Sequence, residues 1–271
     1  MASRQQTLKL GAVAIAAAVL TQVLSPAGAA PITWSSPTTI SGSGSQVLNT
    51  NTLVAAVRFG STTDVTVNGV TFASGTLATT TRTIGNLDFI SSAPINPQTN
   101  ATPSVSIVTG TAYSSLVASM QRGNASYTFT IKGLTSGLQY VIQYWASQSI
   151  DGAGNQEKFA GRTVNLTAAS SGTASLDVNV GDTAGNTGQF VTGTFTADAA
   201  TQQFVATGGT WASPGSAARV YVNAVQVRVV PEPSTLALAS LGIVGVGSWF
   251  CRRRIRRAAE ESSAADASTT A

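Results

Sequence analysis

An all-β domain of two antiparallel sheets packed face to face is the fold class this sequence predicts, and three observations predict it. Between Ile32 and Val229, apolar residues recur at every second position in short stretches, the period of a half-buried strand. Gly, Asn, Asp and Ser separate those stretches, and these residues supply turn conformations. One segment alone follows a helical period. Strands at this spacing with few helices form sandwiches or barrels, and the roughly 200 residues between the two ends suffice for one such core.

The elements follow in order. Asn68-Gly69 sits between the β-branched runs Val65-Thr66-Val67 and Val70-Thr71-Phe72, a strong hairpin signal. Tyr113, Leu116, Val117 and Met120 are spaced i, i+3, i+4, i+7 and predict a short helix at about 111–121, with Thr111 as N-cap and Gly123 as stop. Tyr127, Phe129 and Ile131 share one strand face, opposite Thr128 and Thr130. A loop from Lys132 to Gly137 leads to a strand in which Leu138, Tyr140, Ile142 and Tyr144 alternate with Gln139, Val141, Gln143 and Trp145. The glutamines place the second set on the outer face. Val164 and Leu166 alternate with Thr163 and Asn165, and Leu176, Val178 and Val180 alternate with Asp177 and Asn179. Two more strands are expected near 190–196 and 202–207, around Phe195 and Phe204. In the last stretch, Val220 and Val222 have one parity and Val225, Val227 and Val229 the other. Both sets face a core only if a bulge or bend near Asn223-Ala224 resets the phase.

Composition narrows the function. Charged residues are 10% of the 271, against about 25% in an average soluble domain. Of the 15 basic residues, Arg4, Lys9, Arg252, Arg253, Arg254, Arg256 and Arg257 lie in the ends. Eight basic and seven acidic residues occupy Ala30 to Val230, so the domain is near +1 and offers no basic stripe for nucleic acid. There is no His, and the one Cys is Cys251, which excludes an intrachain disulfide, His/Cys zinc sites and His-based triads.

The ends carry the most specific signals. Arg4 and Lys9, the apolar run Leu10 to Leu20, and Ala27-Gly28-Ala29 are the three regions of a secretory signal peptide. Residues 1–29 are therefore expected to be removed after Ala29 by signal peptidase. At the other end, Pro231-Glu232-Pro233 precedes an uncharged apolar stretch and then Arg252, Arg253, Arg254, Arg256 and Arg257. Residues 234–250 number 17, about 25 Å as a helix, near the short limit for crossing a bilayer. The arginines hold that end in the cytoplasm, which leaves the domain outside the inner membrane. This order of elements resembles the PEP-CTERM sorting signal of exported Gram-negative proteins. The resemblance implies cleavage near Pro231-Glu232-Pro233 by an exosortase-type protease, delivery to the envelope or exterior, and an association with exopolysaccharide. The sorting signal spans 231–257. The tail of 258–271 departs from the pattern, because such signals usually stop at the arginines; it is expected to be disordered.

The domain itself, 30–230, resembles the galactose-binding-like domains common in such proteins. The likeness runs from the short helix through the Tyr127 and Leu138 strands to Asn223-Ala224-Val225-Gln226-Val227-Arg228. It implies a jelly-roll-like sandwich.

Few residues suggest a ligand. Trp145, placed on the outer face before a long polar loop, and Asp151, Asn155, Glu157 and Arg162 within that loop form the candidate sugar site, since aromatic faces stack on sugars and long loops carry sites. The alternative is that Trp145 and Trp211 cap the core. Asp151 to Glu157 and Asp177 to Asn186 hold oxygen ligands of the kind Ca²⁺ takes, but without EF-hand spacing, and read as turns; no metal and no cofactor is expected. Seven scattered acids select no facing pair for glycoside hydrolysis. The expectation is a non-catalytic envelope or extracellular-matrix protein. The alternatives are a carbohydrate-binding module that retains exopolysaccharide and a polysaccharide-processing enzyme.

Overall fold

The computed structural model describes residues 30–75, 81–91, 96–99, 111–123, 126–148, 161–168, 172–181, 187–209 and 219–231. The strands in chain order are β1 (Thr33–Trp34), β2 (Thr38–Thr39), β3 (Leu53–Phe59), β4 (Val65–Val67), β5 (Val70–Gly75), β6 (Thr81–Ile84), β7 (Leu87–Ser91) and β8 (Asn96–Thr99). One helix, α1 (Ala112–Ala118), follows. Then come β9 (Ser119–Gly123), β10 (Tyr127–Lys132), β11 (Gln139–Ala146), β12 (Thr163–Thr167), β13 (Ala174–Asp177), β14 (Gln189–Thr196), β15 (Thr201–Gly208), β16 (Val220–Val222) and β17 (Ala224–Val230).

Two large sheets make the expected sandwich. The first runs β1-β14-β11-β17-β3-β5-β4, with β2 also on β14; the second runs β13-β12-β15-β10-β7-β6. A small third sheet, β16-β9-β8, lies beside them. Among the described residues, pairing is antiparallel except between β3 and β5. Tyr127, Phe129 and Ile131 are fully buried, as are Ile142 and Tyr144 across from them. Phe129 stacks on Phe204 at 4.7 Å and meets Tyr144 edge-on at 5.8 Å, arrangements aromatic rings favour. The hairpin forms at Asn68 and Gly69, both with positive φ (50° and 76°), as a type I′ turn requires.

The phase reset in the last stretch is a change of sheet. Asn223 forms a bend between β16, which pairs with β9, and β17, which pairs with β11 and β3. Val220, Val222, Val225 and Val227 are thereby all buried.

Three expectations need correction. The helix begins as expected, with the Ser114 N–H donating to Thr111 Oγ1 at 3.0 Å, but ends at Ala118 rather than near 121. Met120 belongs to β9 and packs in the core between the sheets, while Tyr113, Leu116 and Val117 pack in a second cluster. Gly123 ends β9, not the helix. The strand at Leu176 stops at Asp177, where the Asn179 N–H turns back to Asp177 Oδ1 at 2.8 Å.

The third correction is the largest. The outer face of the first sheet is covered. Ile40, Val47, Tyr113, Leu116 and Val117 form a second apolar layer on that face, in one cluster with Ala56, Val67, Val70, Phe72, Trp145 and Ala224 of the sheet's own strands. Gln143, expected in solvent, is buried and holds this layer down. Its Oε1 accepts from the Leu48 N–H at 3.0 Å and its Nε2 donates to the Gln46 carbonyl at 3.0 Å. Gln226 donates to Leu48 and Gln143, and Arg228 donates to the Thr50 and Asn51 carbonyls. These amides meet the backbone of an irregular segment, whose polar groups need partners when buried.

Candidate functional site

The two ends of the domain meet at one end of the first sheet. Val230 lies opposite Gln139, the first residue of β11, and the Val229 N–H donates to the Thr52 carbonyl at 2.9 Å. Pro231 follows directly and is exposed. Ala30, the first residue after the expected signal-peptide cut, is buried and accepts from Gln202 Nε2 at 3.0 Å. Ala30, Pro31 and Gln139 line one cavity of about 260 Å³ with Thr33, Thr194, Phe195 and Thr196. Of the expected signal residues, Pro231 is placed. Ala27, Ala29, Glu232, Pro233, Arg252, Arg253, Arg254, Arg256 and Arg257 lie outside the described residues, as does the stretch expected to cross the membrane. Among the described residues no helix is long and apolar enough to do so.

The expected sugar site does not assemble around Trp145. Its side chain is fully buried, stacked on Phe190 at 6.1 Å and edge-on to Phe72 at 5.9 Å. Alternation does place Trp145 opposite the tyrosines, but the second layer occupies that face, so no ring is offered to a ligand. The Tyr113 hydroxyl donates to Gln46 Oε1 at 3.1 Å. Burial pushes the Tyr113 phenol well above its usual range, and the neighbouring Trp145 indole N–H pulls the other way. Arg162 is also buried, at 4% exposure, but on the other side of the first sheet. Its Nη1 donates to the Tyr221 hydroxyl and its guanidinium lies 5.8 Å from that ring's centre. Asp151, Asn155 and Glu157 lie outside the described residues.

Of the two oxygen-rich turns, the one at Asp151 lies outside the described residues and the other is described through Gly181. Among the described residues, no three acidic, His or Cys side chains gather as a metal would need. The described carboxylates include two tied to neighbours. Asp64 accepts from the Ser74 N–H at 2.8 Å, and Asp88 pairs with Lys132 at 2.8 Å and accepts from Thr83 at 2.6 Å. These bonds hold both carboxyls below their usual range.

Two groups escaped the sequence reading. Asn223 was placed only as a bend, yet it is fully buried and bonds four separate backbone positions through its side chain and its own N–H. Arg122 and Arg219 drew no notice, but both act on Tyr221 together with Arg162. Arg122 stands directly opposite Tyr221 across β9 and β16. Their positions, far apart in sequence, gave no local pattern to detect.

Residues 229–256 match the PEP-CTERM protein-sorting motif. No curated protein matches the chain. Among solved structures, it is similar to a calcium-binding mutant of Bacteroides uniformis beta-glucuronidase 2, at 13% identity and TM-score 0.44, covering 65% of this chain and 18% of that one. It is also similar to the plant receptor-like kinase FER (14%, TM-score 0.39, 66% and 43%) and to the ANX1 ectodomain from Arabidopsis thaliana (11%, TM-score 0.37, 66% and 42%). The chain thus spans less than half the length of each.

Proposed function

We propose that this chain, which carries the PEP-CTERM protein-sorting motif, is an exported, non-catalytic protein of the cell envelope or extracellular matrix, released from the inner membrane by an exosortase-type protease. The observation that carries this reading is the position of the motif. It begins at Val229, inside the last strand, and continues through Pro231-Glu232-Pro233 to the arginines. The last strand, Ala224–Val230, therefore runs into the first residues of the matched motif. Signal peptidase acts at the other end, after Ala29. Among the described carboxylates, Asp64 and Asp88 are tied to neighbours that favour their ionised form, unlike a general acid tuned toward neutral pH. A reporter active only in the cytoplasm, fused after Ala271, tests the topology: it should be active, and an export-dependent reporter at the same place should be silent. The reverse pattern would contradict the sorting reading. Turnover of a polysaccharide, lost on substitution of one carboxylate, would contradict the non-catalytic part.

A further inference from the structure

We propose that Gln202 and the cavity beside Ala30 form a seat for the α-ammonium group that signal-peptide removal creates, so that the cut after Ala29 completes the tie between the two sheets. The seat depends on that cut, which belongs to the proposed function, and gives the new terminus a site in the fold. The geometry starts at Gln202, a fully buried residue of β15 in the second sheet. Its Nε2 donates to the Ala30 carbonyl at 3.0 Å and to the Gln203 carbonyl at 3.0 Å. Its Oε1 is buried and has no hydrogen-bond partner, an unfavourable state for an amide oxygen. Ala30 precedes Pro31, which favours an extended backbone there. An extended residue presents its N–H and C=O to the same neighbour, and a carboxamide carries an acceptor beside its donors. The group of Ala30 that matches the idle Oε1 is therefore its own nitrogen.

In the uncut chain that nitrogen carries one proton, aimed by the planar peptide bond to Ala29. An α-ammonium carries three and rotates about its bond to Cα, so one donor can turn to Gln202 Oε1. A hydrogen bond from a charged donor is roughly twice as strong as a neutral one. The remaining donors face the cavity of about 260 Å³ that Ala30 and Pro31 line. Thr33, Thr194, Thr196 and Gln139 bring hydroxyl and amide oxygens to it, and none of its described lining residues is basic, so no cation there repels the new charge. The chain beyond Ala30 is fixed. Ile32 is buried in the core against Gly193, where a Cβ would lie 2.6 Å from Ile32 Cγ2, and Thr33 pairs with Thr194. Ala30 thus stands between β1, at the edge of the first sheet, and Gln202 of the second. A bond gained there on cleavage ties the two sheets together after export.

The test compares the exported, processed chain with one that carries an extra threonine inserted between Ala29 and Ala30, and intact mass fixes the first residue of each. The insertion moves the ammonium one residue away from Gln202 and leaves Ala30 with a peptide nitrogen. The parent should melt about 3 °C or more above the inserted chain, the equivalent of one charge-assisted hydrogen bond. Gln202→Met, which keeps the length of the side chain, should lower the melting temperature further in the parent than in the inserted chain by that same margin. A Gln202 that only holds the Ala30 carbonyl would cost the same in both. A second measurement needs no variant of Gln202. Acetylation of the α-amine, followed by mass, should run about tenfold slower in the parent than in the inserted chain, because the bonded amine is withheld from the reagent. Equal melting temperatures, equal losses from Gln202→Met in the two backgrounds, or equal acetylation rates overturn the seat while leaving the cut standing. A parent chain that begins anywhere other than at Ala30 overturns the cut and the seat with it.

Discussion

Asn223 and Ser147 are bonded twice. The Ser147 N–H donates to Asn223 Oδ1 at 2.6 Å, and Asn223 Nδ2 donates back to the Ser147 carbonyl at 3.2 Å. The same Nδ2 reaches the carbonyls of Val117, at the end of α1, and Ser119, at the start of β9. One amide therefore satisfies the backbone where β11 ends, the helix ends and the chain passes from β16 to β17. Asn223→Ala should leave several buried backbone groups unpaired, at about 1–3 kcal/mol each, and so destabilise the domain by at least about 3 kcal/mol in urea unfolding. Asn223→Asp, of equal shape, should cost as much or more, because an acceptor then faces three carbonyls. A loss under 1 kcal/mol for both would contradict this role.

Trp145 holds the second layer to the sheet. Trp145→Ala removes the ring that contacts Phe190 and Phe72 and should cost about 3–5 kcal/mol. Binding of any saccharide should change only as far as the fold is lost. Full stability with selective loss of binding would restore the exposed-tryptophan reading.

Much of this fold was legible in the sequence. Tyr127, Phe129 and Ile131 point inward because period two is a local property, and Asn68-Gly69 dictates its own turn. What was not legible is how many layers cover a face. Alternation put Gln143 and Trp145 together correctly, but polarity alone assigned that face to solvent. Gln143 is polar because it bonds the segment that buries it. The helix end was missed for a similar reason: Met120 kept the helical spacing although its chain had already become a strand serving another core. The arginines around Tyr221 come from three distant strands and loops, and only tertiary structure brings them together.

Buried phenols predict an alkaline limit. Burial raises the phenols of Tyr113, Tyr127, Tyr144 and Tyr221 above their ordinary range in the folded state. The unfolded chain ionises these groups near pH 10 while the folded one keeps their protons. Above that pH the unfolded state binds fewer protons, so stability falls as pH rises. Each phenol contributes up to about 1.4 kcal/mol per pH unit until its folded pKa is reached. Phenolate absorbance should then rise in one step with the loss of circular dichroism. Gradual ionisation of these residues in the intact fold would contradict their burial.

The last strand adjoins the sorting motif with no spacer. Val229 and Val230 are bonded or paired to Thr52 and Gln139, and a protease must draw an extended segment into its active site. A flexible Gly-Ser insertion between Val230 and Pro231 should therefore speed processing in cells, read as the ratio of cleaved to uncleaved chain over time. Slower or unchanged processing would show that the protease works wholly beyond Pro231, with no hindrance from the fold.

The central claim is a β-sandwich exported by one end and sorted by the other. Intact-mass measurement of the protein recovered from the envelope or medium tests it most directly. The account predicts a chain that begins at Ala30 and ends near Pro231-Glu232-Pro233, without the apolar stretch and the arginines. A recovered chain that still carries Arg252 to Ala271, or one found unprocessed in the cytoplasm, would contradict it.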